Sequence, residues 1–295
     1  MREEILRRLT RRPLPITPKR PATSQLSGEW PSPYSGKGLD FRSHRPYQLG
    51  DDLRTVHMGT SVRTGQDMVV DRIALRDISL LVVLDCTASM GVRNKADILL
   101  ACALMMLYSG VSMEMRVGAA VLGANGYRRL GIGSGQRHAL RLFDAIERIC
   151  GQMRQGSVPE IDFPATDAHR LLPGGGVLLY LSDFLDERGY ARDYESYAVE
   201  ARRYDFVPVV IQDEFEYTFP DLADESMMDF SSPETGAILP LWLGQREKTR
   251  IRQLHEQRFV QLQTSFASHG LRHVHVETPS IDLIQQTLTR FFVLR

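Results

Sequence analysis

Cysteine is scarce in this chain of 295 residues, with three in all, and tryptophan is scarcer, with two. Cys86, Cys102 and Cys150 are odd in number, show no CxxC spacing and lie in apolar surroundings, which argues against a disulfide scaffold or a cysteine-rich zinc site. They read as buried thiols of a reducing compartment. Net charge is also lacking. Lys plus Arg and Asp plus Glu stand at 36 each, so nothing global draws the chain to nucleic acid or to an anionic membrane. Long apolar runs are missing: the most lipid-like stretch, Ile98 to Tyr108, is about half of the ~20 residues a spanning helix needs, and Lys95 and Asp97 abut it. It reads as a core helix, and no transmembrane segment is expected. The first residues mix Glu3 and Glu4 with arginines and have no apolar centre of the secretory kind, so the expected location is cytoplasmic.

What is present fits a globular protein, at 43% hydrophobic and 24% charged residues. The charge is uneven, with seven Arg or Lys against two Glu in residues 1 to 25, and seven acids without Arg or Lys in 213 to 229. A solvated tail and a solvated loop are the plain readings. Residues 1 to 12 could form a short basic amphipathic helix, but Pro13, Pro15, Pro18 and Pro21 mark residues 1–27 as a basic, proline-rich flexible tail. Residues 28–77 are rich in Gly, Arg, Asp and aromatics and predict a small irregular segment with short strands.

From Ile78 the rhythm changes to strands and helices in alternation. Residues 78–295 therefore predict an α/β domain with a mostly parallel sheet and helices on both faces, Rossmann-like in layout. The predicted strands are Ile78 to Asp85, Met115 to Leu122, Val177 to Ser182, Phe206 to Ile211 and Arg272 to Glu277, with a short antiparallel strand at Tyr127 to Ile132. Helices are expected at Lys95 to Met113, Gln136 to Cys150, Asp167 to Leu172, Asp193 to Tyr204, Glu247 to Ser268 and from Ile281 onward. A hairpin over Met228 to Leu243 should turn at Pro233-Glu234-Thr235-Gly236.

The pentapeptide Asp85-Cys86-Thr87-Ala88-Ser89 leaves the first of these strands with an acid and two hydroxyls at alternate positions. The carboxyl edge of a parallel sheet is where ligands bind, and three oxygens with one negative charge suit a hard cation that keeps residual charge. Asp183, just after the strand ending near Ser182, and Thr166, in the loop before a short helix, are the further oxygen candidates.

This arrangement resembles the metal-ion-dependent adhesion site of von Willebrand factor type A (vWA) domains. The resemblance implies that Asp85, Thr87, Ser89, Thr166 and Asp183 surround Mg²⁺, with Mn²⁺ or Ca²⁺ as alternatives, and that a partner protein's acidic residue completes the shell. The sequence departs from the usual pattern with Thr87 where Ser is commoner, Phe184 where Gly often follows the second acid, and no Gly pair before Thr166. The preceding stretch, Gly36 to Arg54 with Phe41, Arg42, Arg45, Tyr47, Gly50, Asp51 and Asp52, resembles the signature of the bacterial DUF 58 family, which precedes a vWA-like domain. His57-Met58 stands where that family usually has Asp-Trp. Membership implies action with a MoxR-type AAA+ ATPase, as adaptor or co-chaperone. Read on its own residues, the segment is a brace in which Arg42, Arg45 and Arg54 face Asp51 and Asp52, with Phe41 and Tyr47 as apolar pegs.

Two other readings compete with this metal-dependent, non-enzymatic interaction module. A structural or interaction protein with a degenerate metal site keeps the same oxygens without the ion. A Mg²⁺-dependent phosphohydrolase of the haloacid dehalogenase type also begins with an Asp at a strand end, but its acid–base residue two positions on is replaced by Thr87. Gly131-Ile-Gly133-Ser-Gly135 lacks the spacing of a phosphate loop and reads as a turn with a helix start. His273 and His275 share a strand face, but two ligands do not make a metal site.

Overall fold

The computed structural model describes residues 1–19, 27–35, 41–49, 51–123, 126–151, 172, 176–184, 202–218, 226–232 and 236–295. The chain divides into two compact units, one of residues 1–18, 79–172 and 176–295, the other of 19–78 with 173–175.

Helix α1 (Arg2–Arg11) opens the larger unit. Ile5 and Leu9, one turn apart, are fully buried, as are Leu14 and Ile16 beyond the helix, and the Leu14 N–H donates to Ser109 Oγ at 2.9 Å. Arg8 pairs with Glu4 at 2.7 Å and also with Asp282, while Arg2 reaches Asp144 at 2.6 Å. Residues 1–18 are thus an anchored part of the sheet unit, not the flexible tail expected. Four apolar side chains among the arginines and prolines outweigh the charge that dominates a composition count.

The smaller unit is an antiparallel sheet of β1 (Ser27–Ser35), β2 (Phe41–Pro46) and β3 (Met68–Arg76) in the order β1-β3-β2, with helix α2 (Met58–Thr64). The anticipated brace exists as a forked pair. Arg45 Nη1 and Nη2 donate to the two Asp51 oxygens at 2.6 and 2.7 Å, and the Gln48 N–H adds a third bond at 2.8 Å. The Arg45 guanidinium, with help from that N–H, holds the Asp51 carboxyl down to about 2. Asp52 caps the 3-10 turn Leu53–Thr55 by accepting the Arg54 N–H at 3.0 Å, so Arg54 enters through its backbone. Phe41, expected as a peg, is 55% exposed at the start of an edge strand and touches the His44 ring; Tyr47 is half-buried.

The larger unit continues with β4 (Ser79–Cys86), α3 (Lys95–Ser112), β5 (Arg116–Gly123), β6 (Gly126–Gly133) and α4 (Gln136–Cys150). Then come β7 (Val177–Ser182), β8 (Asp205–Ile211), the short α5 (Phe215–Thr218), the hairpin β9 (Ser226–Ser231) and β10 (Ile238–Leu243), α6 (Gln245–Ser268), β11 (Val274–Val276) and α7 (Ile281–Leu294). Six strands form the main sheet in the order β11-β8-β7-β4-β5-β6, all parallel to their neighbours except β6, which runs antiparallel to β5. The expected mostly parallel α/β layout is the observed one. The expected helices at Asp167 to Leu172 and Asp193 to Tyr204, apart from Leu172 and residues 202–204, and the turn residues 233–235 lie outside the described residues.

The unbroken Leu-Leu-Val-Val-Leu run makes β4 buried on both faces. Leu81 and Val83 join Leu262 and Phe266 of α6 on one side; on the other, α3 approaches so closely that a Cβ on Gly110 would sit 2.7 Å from Leu80 Cδ2. By length and composition α3 is apolar enough to cross a membrane, and 72% of it is buried within the fold.

Cys86, at the end of β4, and Cys150, at the end of α4, are joined as a disulfide with Cα atoms 5.6 Å apart, and Cys102 is the free, buried thiol. Three separate thiols were the expectation. Residues 64 apart in sequence are brought together by the tertiary fold, which a search for local CxxC spacing cannot see, and the pairing removes the thiol argument for a reducing compartment.

Candidate functional site

Strand β4 sends the chain first to β5 on one side and later to β7 on the other, so the carboxyl ends of β4 and β7 flank the point where the strand order reverses. Such a switch point opens a crevice at the strand ends. Leu84 pairs with Leu181, which sets Asp85 beside Ser182 and one residue from Asp183.

The Asp85 loop is folded by its own side chains. Asp85 Oδ1 accepts the Thr87 N–H at 3.0 Å, and the Thr87 and Ser89 hydroxyls lie 3.1 Å apart, Ser89 being held in a 3-10 turn, Ala88–Gly91. Asp85 and Thr87 are buried; Ser89 is half-buried. Across the strand pair, Ser182 Oγ donates to Asp85 Oδ2 at 2.7 Å. Burial first, and then the nearby charge of Asp183, push the Asp85 carboxyl up to about 6, against the hydrogen bonds from Ser182 and Thr87.

Asp183 is 1% exposed, and its Oδ2 accepts from Lys95 Nζ at 2.9 Å; the same ammonium donates to Glu216 Oε1 of α5 at 2.6 Å. Lys95 is also 1% exposed. Burial opposes its charge, but the Asp183 and Glu216 carboxylates outweigh burial and hold the ammonium's pKa above its ordinary value. A second contact set ties the same two segments: Arg93 lies 3.7 Å over the Phe215 ring and 3.8 Å from Asp213, and Asn94 donates its N–H to Asp213 Oδ2 at 3.3 Å.

Phe184, the residue that replaces the usual glycine, has φ 53°. That left-handed backbone costs a side-chain-bearing residue roughly 1–2 kcal/mol. Its ring is seated edge-on against Tyr180 and Phe266, both at 5.3 Å, so aromatic contact offsets the backbone cost.

Of the five residues expected to ligate, Asp85, Thr87, Ser89 and Asp183 gather at one edge of the sheet. Thr166 lies outside the described residues. Two carboxylates and two hydroxyls form an all-oxygen donor set, which fits a hard divalent cation. The charges fit as well: Asp183 and Glu216 share the Lys95 ammonium, and Asp85 is close enough to Asp183 for the two charges to act on each other. Fully ionised, that cluster carries a surplus of about two negative charges in buried surroundings, an arrangement that a divalent ion neutralises. Among the described residues no three His, Cys, Asp or Glu side chains converge closely enough to hold a metal by themselves, so an ion at this edge would also need the Thr87 and Ser89 hydroxyls.

Sequence reasoning missed Ser182, Lys95 and Glu216. Lys95 reads there as the polar boundary of an apolar helix, and nothing local announces that it turns inward. The two secondary motifs resolve plainly. Gly131 and Gly133 belong to β6, and His138 bonds back to Val117 O at 3.1 Å, leaving an ordinary strand-to-helix turn. His275 bonds Gln212 at 2.9 Å and lies 3.3 Å from Glu277, in a ring cluster with Phe259.

The family described as "Protein of unknown function DUF58" matches residues 43–263, and the chain belongs to it. Uncharacterized proteins of Mycobacterium bovis and Mycobacterium tuberculosis are 24% identical over 228 residues, spanning 75% of this chain and 70% of theirs. Among solved structures, an aerotolerance-related membrane protein from Bacteroides fragilis aligns with TM-score 0.38 and 14% identity over 74% of this chain and 100% of its own. A von Willebrand factor type A protein from Catenulispora acidiphila aligns with TM-score 0.36 and 10% identity over 76% of this chain and 44% of its own.

Proposed function

We propose that this DUF58 protein is an interaction module that binds a divalent cation at its sheet edge and, through that ion, an acidic side chain of a partner protein. Mg²⁺ is the first choice, with Mn²⁺ or Ca²⁺ as alternatives. Asp85, Thr87, Ser89 and Asp183 hold the ion, and Thr166 supplies a further hydroxyl. The observation that carries the reading is the convergence of two buried carboxylates and two hydroxyls at the switch point of a parallel sheet. Neutral hydroxyls leave an ion enough charge to attract one more carboxylate. The role is binding and not catalysis, because position 87 offers a hydroxyl where a phosphohydrolase needs an acid.

The partner implied by the resemblance to DUF 58 proteins is a MoxR-type AAA+ ATPase, with this chain as adaptor or co-chaperone in the cytoplasm. Affinity capture with wild type and Asp85→Asn, each in Mg²⁺ and in EDTA, tests the reading. An AAA+ ATPase retained by wild type in Mg²⁺ and lost in the other three samples supports it; capture that ignores both chelator and substitution overturns it.

A second reading is favoured by one contact. Because Lys95 already neutralises part of the charge on Asp183, the cluster could serve as a metal-free ion network that only stabilises the edge. Mn²⁺ binding by the wild-type chain excludes that alternative.

A further inference from the structure

Lys95 occupies a place that three physical costs oppose. Its ammonium is buried to 1% exposure, and an ammonium leaves water only at considerable cost. It is the first residue of α3, where the positive end of the helix dipole disfavours a cation. The chain enters that helix through Arg93, whose φ of 51° is in the left-handed region. What the three costs purchase in common is a fixed cation against Asp183, at 2.9 Å, with Glu216 as a second acceptor at 2.6 Å.

Resting on the metal reading above, we infer that Lys95 sets the metal affinity of the sheet edge: its ammonium and the divalent ion compete for Asp183, and Glu216 receives Lys95 when the metal takes Asp183. The geometry supplies each part. One Asp183 oxygen is already committed to Nζ, so an ion that draws on this carboxylate does so against a unit positive charge. Glu216 lies on α5, with about a fifth of its side chain accessible, and its bond to the same Nζ gives the displaced ammonium somewhere to stay. Because Asp213 and Phe215 tie that segment to Asn94 and Arg93, the exchange takes place within an already fastened contact.

The test is Mn²⁺ titration of the full chain by calorimetry at fixed pH, for wild type, Lys95→Met, Lys95→Arg, Glu216→Gln and Arg93→Met. Removing a unit charge beside a divalent ion in a partly dry site is expected to tighten binding about tenfold or more in Lys95→Met. Lys95→Arg restores weak binding. Glu216→Gln, which keeps the side chain's size and is checked for folding by circular dichroism, weakens binding several-fold because Asp183 becomes the sole carboxylate partner of the ammonium among the described residues. Arg93→Met removes an equal charge that touches Asp213 instead, and changes affinity less than about threefold.

Unchanged or weaker binding in Lys95→Met, or unchanged or tighter binding in Glu216→Gln, overturns the inference while leaving the metal reading in place. An Arg93→Met effect as large as that of Lys95→Met also overturns it, by reducing it to a general field. If wild type binds no Mn²⁺, the metal reading falls, and the inference that rests on it falls with it.

Discussion

The Ser182 hydroxyl donates to Asp85 Oδ2 at 2.7 Å across the β4–β7 pair and accepts the Phe184 N–H at 3.0 Å. One small side chain therefore fastens both predicted acids' strand ends, since Phe184 follows Asp183 directly. Ser182→Ala removes both hydrogen bonds, one of them to a buried carboxylate oxygen, which costs about 1–3 kcal/mol. Urea unfolding should show a lower midpoint with an unchanged slope; an unshifted midpoint contradicts the role.

Phe184 makes an unusual ordering of variants predictable. Alanine there loses the edge-on contacts with Tyr180 and Phe266 and keeps the left-handed backbone at φ 53°. Glycine loses the same contacts but adopts that backbone freely. Phe184→Ala should cost about 2–3 kcal/mol, and Phe184→Gly should be the more stable variant by about 1 kcal/mol. Thermal unfolding of the two side by side checks the order; alanine above glycine refutes the backbone argument.

The N-terminal helix gives a third expectation. Leu9 is 1% exposed and Ile5 fully buried, so Leu9→Ala should destabilise the protein by about 2–5 kcal/mol, as for a core leucine. A free tail would tolerate the change, and an unfolding midpoint equal to wild type would restore that reading.

The histidines near α6 and β11 predict acid sensitivity. Burial lowers the pKa of His255, His273 and His275 below 6.5; Glu277 and Glu256 act against it at His255, where Arg258 adds to it, and at His275 Glu277 opposes it while His273 and His255 add to it. The unfolded chain then takes up protons near 6.5 that the folded chain refuses. Stability is therefore full above about 6.5 and is lost as pH falls below it. His255→Phe keeps a ring to stack on Tyr217, which lies 4.2 Å away, and should flatten the pH dependence of the melting temperature between 7 and 5 (about one transition's width on either side of the ordinary histidine pKa). A slope equal to that of wild type contradicts the assignment.

Much of the sheet unit was legible because its strands are dense in branched apolar residues, and Asp85-x-Thr87-x-Ser89 stands at the end of the clearest of them. Strand-end position also led to Asp183. What stayed hidden arises from long-range contact. Lys95 and Glu216 are 121 residues apart, and the pairing of Cys86 with Cys150 has no local spacing. Residues 1–18 misled for a different reason: arginines and prolines dominate the composition there, while four buried apolar side chains decide the packing. Phe41 misled because an aromatic in a short edge strand need not find a core.

Equilibrium Mn²⁺ binding to wild type and Asp85→Asn tests the central claim most directly. The account predicts one ion per wild-type chain and loss of that site in the variant, with both proteins folded by circular dichroism. Equal binding by the two, or none by wild type, would contradict it.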